Sequence, residues 1–273
     1  MPYLQVRGAS IYYEEKGVGS ETVVFIHGLM LASESFDAQI GALRSHYKII
    51  AFDLRGQGQS QKTKDKLDLD SLAEDAVFII ENFSSSPVHV VAFSMGTFIA
   101  MRVAARRPEL VRSICLIGPS ADAEEAENLP KYRKLINFVR IFGPRLVANR
   151  LMMILFGDTF LTAADRKPQR QRWRKVVERL PRALHRAAAA SAHRNAITSE
   201  LQNITAPALI VSGEEDRPIS PERARVVHAA IKNARFIAFE KTGHAVMIER
   251  PNEFNVALLD FLMAVDTQGE RHS

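Results

Sequence analysis

The sequence predicts an α/β fold, a mainly parallel twisted sheet covered by helices on both faces, with a helical insertion. Three observations carry that expectation. A continuous apolar run, Thr22–Ile26, marks a strand buried on both faces, and the short β-branched run at residues 88–91 marks another strand. Stretches with helical spacing separate these runs, and strands joined through helices pair in parallel. Between residues 121 and 203 the alternation stops and no strand pattern appears. With 273 residues the chain can bury a large single core. The expected division is a core domain over residues 1–120 and 204–273 and a helical cap over residues 121–203.

Taken in order, residues 3–6 and 10–15 are short strand-like pieces around a turn at Gly8. After the turn at residues 17–20 comes the strand Thr22–Ile26, which runs into His27-Gly28-Leu29. A helix is expected over residues 35–43, then a buried strand, Lys48–Phe52, leading into Asp53-Leu-Arg-Gly-Gln-Gly-Gln-Ser60. The two glycines of Gly56-x-Gly58 lack the third glycine of a dinucleotide loop, because Gln61 occupies its place, so a loop organised by Asp53 and Arg55 is expected instead. Ser71 with Glu74 reads as a capping box for a helix to about residue 82. The strand at residues 88–91 enters Ala92-Phe93-Ser94-Met95-Gly96, directly followed by helical spacing, and residues 113–117 form the next strand. In the insertion, residues 131–156 and 170–194 read as helical, punctuated by Gly143-Pro144, Gly157 and Pro168. The alternation resumes with a strand at residues 208–212, a helix opened by Pro221, a strand at Ala234–Phe239 and a last helix from Pro251 to about residue 265.

Composition narrows the function. Hydrophobic residues make up 47% and charged residues 25%, as in ordinary globular proteins. The single cysteine, Cys115, excludes an internal disulfide and fits a reducing cytoplasm, the expected location. No basic-then-apolar leader is visible, and no apolar run approaches the ~18 residues of a spanning helix. The net charge of +5 is uneven: residues 121–203 hold 16 Lys and Arg against 8 Asp and Glu. Such a segment attracts anionic substrates or a membrane surface, or is simply a solvated helical face. No nucleic-acid motif accompanies it. His89, His185, His193 and His228 lack ligand spacing, so no metal is expected.

The chemistry lies at strand ends. Parallel sheets gather functional loops at their carboxyl edge. There the strands deliver, in chain order, the His27-Gly28-Leu29 loop, Ser94, Gly213-Glu-Glu-Asp216 and Gly243-His244. Between a strand and a helix, small-x-Ser-x-Gly is the context of a nucleophile elbow, with small residues letting the two elements approach. A serine hydroxyl needs an adjacent base, for which His244 is the candidate, and Asp216 would orient the imidazole. The backbone N–H groups of Leu29 and Met95 are the candidate oxyanion donors.

Those pieces together resemble the α/β-hydrolase superfamily. The resemblance rests on His27-Gly28, Asp53-x-Arg55-Gly56-x-Gly58-x-Ser60, Ala92-x-Ser94-x-Gly96, Gly213-x-x-Asp216 and Gly243-His244 with Glu249-x-Pro251. It implies Ser94 as nucleophile, His244 as base, Asp216 as acid and Leu29 and Met95 as oxyanion donors, with no cofactor. In some relatives the acid follows the preceding strand, which makes Asp122 the alternative. Ala92 departs from the more frequent glycine. The helical insertion resembles the family's cap, with a hydrophobic pocket beneath it. The implied activity is hydrolysis of a carboxylic ester or lactone of a small hydrophobic substrate through an acyl-enzyme. Carbon–carbon cleavage of a vinylogous diketone and a triad-retaining small-molecule receptor are the alternatives. A serine at the elbow argues against haloalkane or epoxide chemistry, where resembling families use a carboxylate.

Overall fold

The computed structural model describes residues 2–270. Its elements run in chain order β1 (Tyr3–Val6), β2 (Ala9–Lys16), β3 (Thr22–Ile26), α1 (Asp37–Leu43), β4 (Lys48–Phe52), α2 (Leu69–Phe83), β5 (Val88–Phe93), α3 (Met95–Arg106) and β6 (Val111–Ile117). The segment between β6 and the next strand holds α4 (Leu129–Phe142), α5 (Ala148–Leu155), α6 (Asp158–Thr162), α7 (Lys167–Glu178) and α8 (His185–Ala192). Then follow β7 (Ala208–Gly213), α9 (Pro221–Ala230), β8 (Ala234–Phe239), α10 (Val246–Glu249) and α11 (Pro251–Glu270).

The strands form one sheet in the order β1-β2-β4-β3-β5-β6-β7-β8. From β4 to β8 every neighbour is parallel, while β1 and β2 add an antiparallel edge. β3 and β5 are buried along their whole length, which accounts for their mainly apolar sequence. Crossover handedness places the helices. The chain steps one way from β3 to β4 and the other way from β4 to β5, so right-handed crossovers put α1 and α2 on opposite faces. α3 packs beside α2, and α11 returns to pack on α1.

Several boundaries differ from the sequence expectation. The helix expected to be capped by Ser71 begins at Leu69, and Asp68 is its cap, accepting the Ser71 N–H at 2.7 Å. Buried Leu67 and Leu69 draw the chain into the core earlier, and Glu74 faces Arg7 instead of closing a capping box. Within the insertion the break expected at Gly143-Pro144 is present, and the helix expected over residues 170–194 is divided. Gly143 takes φ 85° after α4, and Pro181, which has no N–H to give, separates α7 from α8. α10 is an extra helical turn, and α11 continues to Glu270. Among the described residues no helix is long and apolar enough to cross a membrane.

Candidate active site

The strand register brings the candidate residues together. Ile26 pairs with Ala92, Phe93 with Ile117, Ile117 with Val211 and Gly213 with Phe239, so β3, β5, β6, β7 and β8 end along one edge. Ser94 follows β5 immediately and heads α3 at φ 50°, ψ −117°. That region is unfavourable for serine by about 1–3 kcal/mol and persists only where the surroundings over-determine it. Here the Ser94 N–H donates to Ile117 O at 2.9 Å, and its carbonyl accepts the Thr97 N–H at 2.8 Å and the Thr97 hydroxyl at 2.6 Å. Gly96 is required because a Cβ would run into the Ile26 carbonyl. Ala92 is fully buried, and its methyl fits the strand.

His244 lies in the loop after β8, with Nδ1 2.6 Å from Asp216 Oδ2. The other oxygen of Asp216 accepts the Ile219 N–H at 2.9 Å, so both carboxylate oxygens are held. Asp216 and His244 are both buried. The Phe93 ring packs 4.8 Å from the imidazole. Gly118, at the end of β6, went unnoticed in the sequence although it shapes this contact. It adopts φ 60°, and a Cβ there would come within 2.8 Å of the His244 ring. Ser94 and His244 line one cavity. Among the described residues the His244 ring bonds Asp216, and no hydrogen bond joins it to the Ser94 hydroxyl. The alternative acid, Asp122, accepts from the Thr198 hydroxyl at 3.0 Å and does not bond His244.

The loop after β3 is fixed by His27. Its Nε2 accepts the Leu54 N–H at 2.9 Å and its Nδ1 donates to Gly28 O at 2.7 Å, which sets a neutral tautomer. Complete burial pushes its pKa down, in agreement with that state. Asp53 takes the N–H groups of Ser33 and Gln59 at 2.9 and 2.7 Å, and Arg55 grips Asp75 through two bonds. Leu29 lines the same cavity as Ser94 and His244, and Met95 opens α3, where the first N–H groups have no partner within the helix.

The cavity, of about 150 Å³, is lined in part by residues of the insertion. Leu135, Ile136 and Val139 of α4 and Leu151 and Leu155 of α5 supply apolar wall. One end is polar: Arg194 meets Glu124 at 3.1 Å, with 5% and 6% of their side chains exposed. The Arg194 guanidinium also lies 4.5 Å over the Phe98 ring. Burial lowers its pKa, and Glu124 opposes that shift. Sequence reading passed over this pair, because 70 residues separate the partners and neither stands in a local motif.

Glu249 joins the insertion to the His244 loop. Its buried carboxyl accepts the N–H groups of Gly243 at 3.1 Å and Gly157 at 3.2 Å. Gly157 and Gly243 approach so closely that neither has room for a side chain. Burial pushes the Glu249 pKa up to about 7, against the lowering effect of those two donors. The Ala245 N–H adds a bond to Leu155 O at 2.9 Å. Among the described residues no three His, Cys, Asp or Glu side chains gather in a way that could hold a metal ion.

The sequence profile of the α/β-hydrolase fold family matches residues 21–251. The chain is an α/β-hydrolase. This α/β-hydrolase is 28% identical over 269 residues to an uncharacterized hydrolase of Bacillus subtilis, covering 94% of this chain and 96% of the relative. It is 26% identical over 257 residues to a pimeloyl-[acyl-carrier protein] methyl ester esterase of Neisseria meningitidis, covering 89% and 94%. Among solved structures, a thermophilic esterase from Thermogutta terrifontis superposes with a TM-score of 0.88 at 21% identity, covering 96% of this chain and 98% of that one. The enol-lactonase from Burkholderia xenovorans does so with a TM-score of 0.86 at 23% identity, covering 96% and 100%. At those identities the likeness speaks for the fold.

Proposed function

We propose that this α/β-hydrolase cleaves a carboxylic ester or lactone of a small hydrophobic substrate through an acyl-enzyme on Ser94. One observation carries the reading: a serine held at positive φ shares an apolar-walled cavity with a histidine whose far nitrogen is fixed by a buried aspartate. His244 Nε2 takes the Ser94 hydroxyl proton as Oγ attacks the carbonyl carbon, and the carbonyl oxygen becomes an oxyanion facing the Leu29 and Met95 N–H groups. Each such donor typically contributes roughly 3 kcal/mol. Collapse breaks the bond to the alcohol oxygen, which receives the proton from His244. Water then repeats the cycle on the acyl group and frees Ser94. Throughout, Asp216 holds the Nδ1–H tautomer and stabilises the imidazolium.

The helical insertion serves as a cap in this reading, and its leucines and isoleucine select an apolar acyl or aryl group. Esterases and an enol-lactonase among proteins of the same fold support the reaction class by analogy. Steady-state hydrolysis of p-nitrophenyl esters of rising chain length, beside Ser94→Ala, tests it. The expected result is a preference for chains longer than acetyl and a loss of roughly 10⁵-fold or more in the variant. Turnover that survives Ser94→Ala contradicts the reading, as does a profile with acetyl esters far above all others.

A further inference from the structure

The helix that walls the cavity also carries exposed apolar side chains. On α4, Tyr132, Leu135, Ile136 and Val139 face the cavity. On the flank beside that face Phe138, Ile141 and Phe142 are 37%, 53% and 55% exposed, and Leu146 in the turn beyond is 71% exposed. The rings of Phe138 and Phe142, one turn apart, lie 4.8 Å from each other, so the apolar side chains form a strip. Large apolar side chains gathered in this way mark a contact surface, whereas single ones need no explanation.

Cations border the strip. From residue 129 to residue 157 the sequence has six basic residues, Lys131, Arg133, Lys134, Arg140, Arg145 and Arg150, and no acidic one. All six are exposed, and among the described residues none of them forms an ion pair. Arginines elsewhere on the surface do find carboxylates, as Arg106 does with Glu200 and Arg107 with Glu81. At helical spacing Lys134 continues the line of Phe138, while Arg133 and Arg140 fall on the far edge. A merely solvated face would carry both signs of charge and few phenylalanines.

We propose that this face of α4 docks on an anionic lipid bilayer. Cations alone would suit any polyanion. The strip of Phe138, Ile141, Phe142 and Leu146 needs a partner that also accepts apolar side chains, and the headgroup–acyl boundary does both. The helix lies flat, its apolar strip in the boundary and its lysines and arginines reaching anionic headgroups. One helix diameter, about 10 Å, then separates the lipid from the cavity. An apolar substrate dissolved in the bilayer would reach the cavity along this helix. Docking goes beyond the hydrolase reading and stands without it, because binding to vesicles requires no turnover.

The test is flotation of the intact protein with vesicles of phosphatidylglycerol and phosphatidylcholine, compared with pure phosphatidylcholine, over a range of salt. The native protein is expected to float with the mixed vesicles and not with the neutral ones. Each cation at the surface multiplies partitioning by about fivefold, so the combined Arg133→Glu, Lys134→Glu and Arg140→Glu variant should lose about a hundredfold or more. The combined Phe138→Ser, Ile141→Ser and Phe142→Ser variant should lose the binding that survives high salt. Circular dichroism should match the native spectrum in both, since every substituted side chain is at the surface. Failure of the native protein to float with mixed vesicles overturns the proposal. So does full retention of binding by the serine variant, which leaves charge attraction alone and points to a soluble acidic partner.

Discussion

At the scale of single residues, the site depends on which proton sits where. Asp216 accepts from the Ile219 N–H with one oxygen and faces His244 Nδ1 with the other. Asp216→Asn keeps the size and the Ile219 bond but turns an amide N–H₂ toward Nδ1, which favours the wrong imidazole tautomer. The expected outcome is a fall of about 10⁴ in kcat with an unchanged fold, read by ester turnover and circular dichroism. Glu249 gives a pH prediction. Its folded pKa of about 7 lies above the ordinary 4.5, so its contribution to stability is complete below about pH 4.5 and is lost as pH rises to about 7. Glu249→Gln retains an acceptor for Gly157 and Gly243 and removes the titration. Relative to native, the variant should gain up to about 3 kcal/mol across that window, measured by urea unfolding at a series of pH values. A constant difference would contradict the assigned shift. Ser94, His244 and Asp216 stood out in the sequence because each follows a strand and lies within three residues of a glycine. Gly118 did not, since its importance comes from the His244 ring, 126 positions further on.

At the scale of elements, strands and the helices between them were legible because both faces of the sheet are covered. Burial on two sides leaves short, mainly apolar runs in β3, β5 and β7. Helix starts were less legible. Asp68, Ser71 and Glu74 all suit an N-terminus, and the burial of Leu67 and Leu69 decides between them. Asp68→Ala should therefore cost about 1 kcal/mol, read by thermal or urea unfolding, whereas Ser71→Ala should cost much less. In the insertion, helical periodicity ran straight through Pro181, where the structure turns. A proline breaks a helix at a point that periodicity, averaged over several turns, does not resolve.

At the scale of the whole molecule, the insertion is tied to the sheet by bonds that no local pattern announces. Glu249 reaches Gly157, Glu215 accepts the Thr159 N–H at 2.9 Å, and Arg217 donates to Phe156 O at 3.0 Å. These contacts hold the α5–α6 junction against the loops that carry Asp216 and His244. The uneven charge was visible in composition, but its division was not. In the structure Arg194 turns inward to Glu124, while the cations of α4 turn outward beside exposed phenylalanines. Sequence counts sum these two populations into one basic segment. An acyl group on Ser94 is visible to intact-mass spectrometry of the protein quenched during turnover of a slow p-nitrophenyl ester. The expected result is a transient mass increase equal to one acyl group less a hydrogen, located by digestion to the peptide containing Ser94 and absent from Ser94→Ala. Rapid turnover with an acyl group on another residue would contradict it.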